Sequence, residues 1–311
     1  MPTKPYRVLS IDGGGIRGII PAILLQRLAA ETSLAGWLNR SDLIAGTSTG
    51  GLIALALAKP LDPQVIRDMY EQRGREIFDD SWIDDIADLG KIVGADYDNA
   101  GLQRELKRLF GDDTLGDLAK SVMVTSFDLD NGSDDPEERT WKPKIFHNFR
   151  NVDSDAAQLV WKVGLYTSAA PTYFPSVDGY IDGGVFANNP AMCALAQSQD
   201  GRVRNHPSLE EVVMLSIGTG TPLTYIKGKA LDWGYAQWAK PLINLMMDGV
   251  AGIADFQCRQ LLGDAYHRTA PVFEPGTYFP LDAVKNVPEM VDFAGAVDLE
   301  PTIDWLERNW M

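Results

Sequence analysis

Apolar and polar positions along the chain form blocks that predict strands followed by helices. Short apolar runs predict buried strands at 8–12, 42–46, 121–128, 144–149, 177–182 and 211–217. Segments with apolar residues three or four positions apart predict helices at 18–31, 63–77, 101–110 and 155–169, one that ends near 58 and one that begins near 190. Strands that alternate with helices indicate a mostly parallel central sheet covered on both faces, so the predicted fold class is a three-layer α/β/α arrangement.

The domain organisation predicted from this pattern is simple. No repeat, low-complexity tract or linker divides the chain, so we predict a single domain over 1–311. Residues 8–190 carry the glycine-rich motifs, and residues 221–311 are predicted to be mainly helical. The segment 78–99 is acidic and irregular, which predicts an excursion over the surface.

The charge of the chain limits its partners. The 311 residues include 28 Lys and Arg against 43 Asp and Glu, which gives a net charge of −15. Because binding to a phosphate backbone needs clustered basic side chains, nucleic acid is excluded as a main partner. The same charge disfavours electrostatic docking on anionic lipid, while apolar insertion into a membrane stays open. The sequence does not determine an oligomeric state.

The number of cysteines and the length of the apolar runs predict the cellular compartment of the protein. Cys193 and Cys258 are the two cysteines, and they lie far apart without metal-type spacing, which favours a reducing compartment. No cluster of metal ligands is evident, so we expect neither a metal nor a cofactor. No run approaches the ~18 apolar residues of a membrane-spanning helix, and no signal-type segment precedes the first strand. We therefore expect a cytoplasmic protein, for which peripheral contact with a membrane stays open.

A glycine-rich turn, Asp12–Gly18, follows the first predicted strand. Glycines at 13, 15 and 18 fit the dinucleotide-binding pattern, which places a pyrophosphate on a helix N-terminus. That pattern also needs an acidic residue at the end of the next strand, but here this strand ends in Ala45-Gly46. The alternative is an oxyanion hole, because three successive glycines leave backbone N–H groups uncovered that can converge on a negative oxygen.

Ser48 lies at the centre of a second turn, Gly46–Gly50, with the pattern G-x-S-x-G. A predicted strand precedes this turn and a predicted helix follows it, which is the context of a nucleophile elbow that exposes a serine hydroxyl. The free N–H groups and the positive dipole end of the helix point to the same place. A plain helix N-cap role for Ser48 is the structural alternative.

A base for this serine is not obvious among the three histidines. His147 lies in a predicted strand and His206 in a polar loop. His267 has the chain order of a Ser-His-Asp triad, but no recognisable turn surrounds it. Asp182 ends the predicted strand 177–182 and is followed by two glycines, which presents a carboxylate at a sheet edge; an ordinary Asp-Gly turn is the alternative.

The three glycine-flanked turns, in this order, resemble the patatin-like phospholipase family, and the segment Thr167–Pro175 is similar as well. The resemblance covers residues 8–190 and is loose beyond about 200. It implies a patatin-like fold in which Ser48 is the nucleophile and Asp182 is its partner in a catalytic dyad. It also implies a glycine-rich oxyanion loop formed by Gly13, Gly14 and Gly15, with Arg17 at its basic position.

The resemblance implies a lipid acyl hydrolase that cleaves fatty acyl esters of phospholipids or related lipids through an acyl-enzyme. In this mechanism Asp182 accepts the proton of Ser48, and partial burial of the carboxyl group would raise its pKa and improve it as a base. Candidate oxyanion donors are the N–H groups of Gly14, Gly15 and Thr49. The expected partner is a lipid or phospholipid substrate, with transient contact at a membrane surface left open.

Two functions of other classes also stay open. One is a nucleotide-binding protein that uses the Gly13–Gly18 turn, and the other is a catalytically silent scaffold. The segment Trp233–Met247 is rich in aromatic and flexible apolar side chains. It either lines an acyl channel, touches the lipid interface or forms a core helix. The sequence does not identify the lipid class or the preferred chain length.

Overall fold

A mixed seven-stranded sheet forms the centre of the computed structural model, which describes residues 4–77, 98–151 and 153–311. The strands are β1 (Tyr6–Ile11), β2 (Leu43–Thr47), β3 (Ser121–Asp128), β4 (Lys142–His147), β5 (Tyr180–Asp182), β6 (Val212–Ile217) and β7 (Tyr266–Thr269). Their order is β4-β3-β2-β1-β6-β7, with β5 paired to β3. The pairs among β3, β2, β1, β6 and β7 are parallel, while β4 and β5 run antiparallel to β3.

Helices cover both faces of this sheet. They are α1 (Ile19–Ala30), α2 (Thr49–Ala58), α3 (Pro63–Ile77), α4 (Ala100–Phe110), α5 (Val160–Ser168), α6 (Gly184–Ala187), α7 (Ala191–Ser198), α8 (Tyr235–Leu262), α9 (Val287–Ala296) and α10 (Glu300–Asn309). Among the described residues, no helix is long and apolar enough to cross a membrane.

Two separate hydrophobic cores result from the alternation of side chains along the strands. In β1, Leu9 and Ile11 point into the larger core, which is completed by α1 to α5, α9 and α10. Val8 points to the other face, into a smaller core with Ala191 of α7 and Cys258 of α8. Because both faces of the central strands are buried, these strands are apolar throughout, and the expected three-layer α/β/α class is confirmed.

The register of β3 explains how the two functional turns meet. β3 is longer than β2, and the last pair between them joins Thr47 to Thr125. One residue further along β3, Ser126 pairs with Asp182 of β5. Since β4 already occupies the other edge of β3 at this level, β5 lies on the β2 side, beyond the end of β2. The residue that follows β2 and the last residue of β5 are therefore brought together.

Most predicted elements are present, with differences that have local causes. The strand expected at 177–182 is shortened because Asp178 and Gly179, both at positive φ, form a tight turn between Val177 and Tyr180. The helix expected at 155–169 begins only at Val160. The sequence analysis missed α6 and the short strand β7. The acidic excursion predicted at 78–99 lies largely outside the described residues.

Candidate active site

Ser48 occupies a strained turn between β2 and α2. Its backbone has φ 54° and ψ −124°, a region that non-glycine residues rarely adopt. A Cβ at Gly46 would overlap the backbone of Gly50, and one at Gly50 would overlap the carbonyl oxygen of Ile11. Both glycines are therefore required for the chain to turn this sharply, which is the physical reason for the G-x-S-x-G spacing.

A buried hydroxyl network supports this turn from below. The Ser48 N–H donates to Thr167 Oγ1 at 2.8 Å, and Thr167 Oγ1 donates to the Thr125 carbonyl at 2.7 Å. Thr47 Oγ1 donates to the Ala187 carbonyl at 2.6 Å and is 2.7 Å from Thr125 Oγ1. Because each hydroxyl has one proton, Thr125 Oγ1 is the donor to Thr47. The network holds the strained serine between β3, α5 and α6.

Asp182 reaches the same place from β5. Its carboxylate lies beside the Ser48 side chain and accepts the N–H of Gly184 at Oδ1, at 2.7 Å. Only 4% of the residue is exposed. Burial raises the pKa of Asp182 from 3.8 to about 6, although Ser48 and the Gly184 N–H act in the opposite direction. A carboxyl group with this pKa is a better match for proton transfer near neutral pH than an exposed aspartate.

The glycine loop is fixed to its surroundings at both ends. The Gly13 N–H donates to the Asn188 carbonyl at 2.9 Å, and Thr219 Oγ1 donates to the Gly13 carbonyl at 2.8 Å. The Ile16 N–H donates to the Leu281 carbonyl at 2.7 Å. A Cβ at position 14 would overlap the Thr219 hydroxyl, so the loop lies as close to its neighbours as glycine allows.

The middle of this loop faces Ser48. Gly14, Gly15, Ser48 and Thr49 line the same cavity. Within the part of the chain that the structure describes, the N–H groups of Gly14, Gly15 and Thr49 meet no hydrogen-bond acceptor. Gly13 contributes to the loop differently, because its N–H already has a partner. Three residues whose backbone N–H groups have no acceptor therefore line the cavity beside Ser48, as an oxyanion hole requires.

Arg17 lies behind the loop. Only 8% of the residue is exposed, and its Nε donates to the Gly14 carbonyl at 3.5 Å. Burial lowers the pKa of Arg17, and the nearby Tyr278 and Asp248 partly compensate. The buried positive charge stands on the carbonyl side of Gly14, where it stabilises the orientation of that peptide group.

An apolar cavity of about 210 Å³ extends from Ser48 and Asp182. Side chains from α2, α3, α4, α8 and the segment after α5 form its wall. They include Leu52, Met69, Ile77, Leu102, Phe174, Met246, Met247 and Leu281. Two methionines of the Trp233–Met247 segment thus line the cavity. Ser48 and Asp182 thus line a space suited to an aliphatic chain.

A buried ion pair that the sequence analysis missed stabilises the start of the loop. Arg268 of β7 binds both carboxylate oxygens of Asp12, through Nη2 at 2.5 Å and Nη1 at 3.2 Å. Arg268 Nη1 also donates to Ser216 Oγ at 2.7 Å. Arg268 and Asp12 are 256 positions apart, and β7 itself was not predicted, so no local signal could have paired them.

The histidines have partners away from Ser48. His267 stacks on Trp305 and its Nε2 is 3.1 Å from Thr302 Oγ1, while burial lowers its pKa. His147 Nδ1 accepts the Phe149 N–H at 3.3 Å. None of the three is among the residues that line the cavity in the described chain. The described residues also contain no group of three or more His, Cys, Asp or Glu side chains that could hold a metal ion.

Comparison with known proteins gives consistent matches. The family model described as Patatin-like phospholipase matches residues 9–195, a range that includes the glycine loop, Ser48 and Asp182. The "cGAMP-activated phospholipase" of Pseudomonas aeruginosa is 32% identical over 84% of this chain and 77% of that protein. "Patatin-like protein 1" of Oryza sativa subsp. indica is 30% identical over 82% of this chain and 70% of that protein. Among solved structures, VipD from Legionella pneumophila aligns with 94% of this chain and 67% of its own, at 12% identity and a TM-score of 0.43.

Proposed function

Since the chain belongs to the patatin-like phospholipase family, we propose that it is a serine-type lipid acyl hydrolase with Ser48 and Asp182 as its catalytic dyad. One observation carries the proposal: Ser48, in its strained turn, and the buried carboxylate of Asp182 line the same apolar cavity. Residues 1–311 are proposed to act as one catalytic domain. The proposed substrate is a fatty acyl ester of a phospholipid or a related lipid.

The first chemical step is attack of Ser48 Oγ on the ester carbonyl carbon. Asp182 accepts the serine proton as the new C–O bond forms, and the carbonyl oxygen takes up the negative charge. When the tetrahedral intermediate collapses, the C–O bond to the leaving alcohol breaks and the proton passes from Asp182 to that alcohol. The acyl group then remains on Ser48. Water, deprotonated by Asp182 in turn, releases the fatty acid and restores the serine.

The oxyanion would be stabilised by backbone N–H groups. The N–H groups of Gly14, Gly15 and Thr49 are the proposed donors, because they line the cavity beside Ser48. Loss of one such donor typically raises the barrier by about 3 kcal/mol. In the absence of a histidine, a preorganised oxyanion hole has to offset the modest basicity of the Asp182 carboxylate.

The apolar cavity is proposed to hold the acyl chain. Its wall contains flexible methionine side chains, which adapt to chains of different length and unsaturation. Burial of an acyl chain contributes about 0.8 kcal/mol per methylene group. This binding energy would place the ester carbonyl between Ser48 and the glycine loop.

The proposal is tested by fatty acid release from phosphatidylcholine micelles, measured for wild type, Ser48→Ala and Asp182→Asn. Because one relative is named a cGAMP-activated phospholipase, each protein is assayed with and without cGAMP. We expect both variants to lose at least about 1,000-fold in kcat under whichever condition activates wild type. Normal thermal unfolding of the variants would show that the fold is intact. Full activity in either variant would refute the dyad, and loss of activity in His267→Ala with an unchanged melting temperature would favour a triad.

A further inference from the structure

Helix α8 is apolar on two opposite faces. It runs over 28 residues, Tyr235–Leu262, and packs against α6 and α7. Ala254 and Cys258 on its inner face are 5% and 0% exposed, so this face is buried in the smaller core. A helix at the surface of a globular protein normally has charged and polar residues on its outer face. The outer face of α8 departs from that pattern.

Five large apolar side chains lie along this outer face, three before Gly249 and two after it. They are Leu242, Leu245, Met246, Ile253 and Phe256, and between 47% and 57% of each residue is exposed. Their spacing places them within an arc of about 100° on the helix surface. Exposed apolar side chains that occur singly need no explanation, but a set of five on one helix face indicates an interaction site. We call this set the apolar stripe.

The apolar stripe is continuous with the candidate active site. Met246 belongs to the stripe and also lines the cavity that contains Ser48. The next residue, Met247, lines the cavity too, and its methyl group lies near Gly184 beside Asp182. A partner that covers the stripe would therefore stand at the entrance to the apolar cavity. If that partner were a lipid surface, an acyl chain could pass into the cavity without crossing water.

The charges around the stripe indicate the kind of surface that it fits. The stripe itself contains no ionisable side chain. On the flanks of the helix, Asp255 pairs with Arg259 at 3.1 Å, and Asp248 is a further acidic residue. Among the side chains of the helix that the structure describes, the flank therefore carries no excess of positive charge, and the chain as a whole has a net charge of −15. Attraction to anionic headgroups is not available here, so apolar burial has to supply the binding energy.

We propose that the apolar stripe of α8 docks the protein on a neutral, zwitterionic phospholipid surface, with the cavity entrance facing the lipid. The choice of lipid as the occupant rests on the proposed function, because the same site would consume molecules from that surface. Phe256 and Ile253 enter the interfacial region, as the apolar face of a monotopic helix does. The depth of insertion is limited because the flanking charged residues stay in water.

Binding is tested on full-length protein carrying Ser48→Ala, so that the vesicles are not degraded. The measurement is co-sedimentation with phosphatidylcholine vesicles, for the parent and for the added double substitution Ile253→Gln/Phe256→Gln. Glutamine retains good helix propensity, so we expect α8 to persist. We expect the partition coefficient to fall about 100-fold, which corresponds to about tenfold for each apolar side chain withdrawn from the interface. Adding phosphatidylserine to the vesicles should not strengthen the binding.

The matched control is Leu209→Gln. Leu209 is also exposed, at 37%, but it precedes β6 and so lies at the amino end of the strands, opposite the edge that carries Ser48. We expect this variant to bind vesicles like its parent. Unchanged binding in the double variant would overturn the proposal. The proposal would also be overturned if the parent protein sedimented as a dimer while the double variant was a monomer that bound vesicles equally well. The apolar stripe would then be an interface with a second copy of the chain.

A second readout separates this inference from the proposed function. In protein that retains Ser48, the double variant should hydrolyse a short soluble ester, p-nitrophenyl butyrate, within twofold of wild type, because neither Ile253 nor Phe256 lines the cavity in the described chain. Its hydrolysis of phosphatidylcholine vesicles should fall in step with binding. If Ser48→Ala left ester hydrolysis intact, the dyad would be refuted while the vesicle-binding result stood.

Discussion

Deprotonation of Asp182 should switch on ester hydrolysis as the pH rises through about 6. Burial raises the pKa of this carboxyl group from 3.8 to about 6, and only the carboxylate can accept the proton of Ser48. We therefore expect kcat/KM for a neutral soluble ester to rise tenfold per pH unit below about pH 6 and to level off above it. An unperturbed aspartate would give a profile that is flat from about pH 4 upward.

The same shift in pKa means that the ionised, buried Asp182 destabilises the folded protein at neutral pH. The folded protein binds this proton more tightly than the unfolded chain does, so the contribution of Asp182 to the free energy of unfolding is highest below pH 3.8 and falls as the pH rises to about 6. A shift of about two pKa units corresponds to about 3 kcal/mol, lost across this window and constant above it. The cost is offset in the native state by the rest of the buried core.

Comparison with Asp182→Asn isolates this contribution. The variant keeps the shape of the side chain, and its amide oxygen can still accept the Gly184 N–H. Urea unfolding of both proteins between pH 4 and pH 8 should show the variant gaining about 2 kcal/mol relative to wild type between pH 4 and pH 6, and only a few tenths of a kcal/mol more above pH 6. Contributions of other groups, such as the raised pKa of Asp248, are common to both proteins and cancel in the difference.

Two results would refute this reasoning. An acid limb of kcat/KM centred near pH 4 would mean that Asp182 titrates as an exposed carboxyl group in the active enzyme. A stability difference that stays constant from pH 4 to pH 8 would mean that the charge of Asp182 is as well solvated in the folded protein as in the unfolded chain. Agreement in one measurement alone would not suffice, because the activity profile and the stability difference must show the same midpoint.

Three further variants test the framework of the site. Gly14→Ala should lower kcat about 100-fold because its Cβ displaces the loop, while Gly201→Ala, where a Cβ meets nothing within 4 Å, should leave kcat unchanged in the same assay. Thr167→Val removes the acceptor of the Ser48 N–H and should cost about 1–3 kcal/mol in urea unfolding, whereas Thr167→Ser should restore most of it. His267→Ala should lower the melting temperature by loss of its stacking and hydrogen bond, and kcat should stay within twofold; a selective loss of kcat would contradict the dyad.

The parts of the site that follow local rules could be predicted from the sequence. Gly46 is required by overlap with Gly50 inside the turn, and Gly50 by overlap with the end of β1, yet their spacing around Ser48 is visible within five residues of the sequence. The glycine loop is likewise a local feature, and the apolar strands on either side predicted its position at a sheet edge. The match of predicted strands to β1, β2, β3 and β6 follows from burial on both faces, which leaves uninterrupted apolar runs.

The parts that depend on long-range contacts could not be predicted. β7 has four residues, and the polar His267 and Arg268 fill its centre, so it has no apolar signature. Its pairing to β6 places Arg268 on Asp12, a contact across 256 positions. Partial burial of Asp182 was expected to raise its pKa. That the residue is almost completely buried could be seen only in the structure.

The sheet itself accounts for a site that operates without a histidine. In a histidine triad, the base arrives on a separate loop and spans the gap between the serine and its acid. Here β5 pairs with β3 immediately beyond β2, so the Asp182 carboxylate lies beside Ser48 without an intermediary. The Thr125 carbonyl, on β3, accepts the hydroxyl of Thr167, and the Thr125 hydroxyl donates to Thr47. These two bonds tie β3 to α5 and to the end of β2. Lengthening β2 by one paired residue would exclude Asp182 from Ser126, so the geometry of the site depends on where β2 ends.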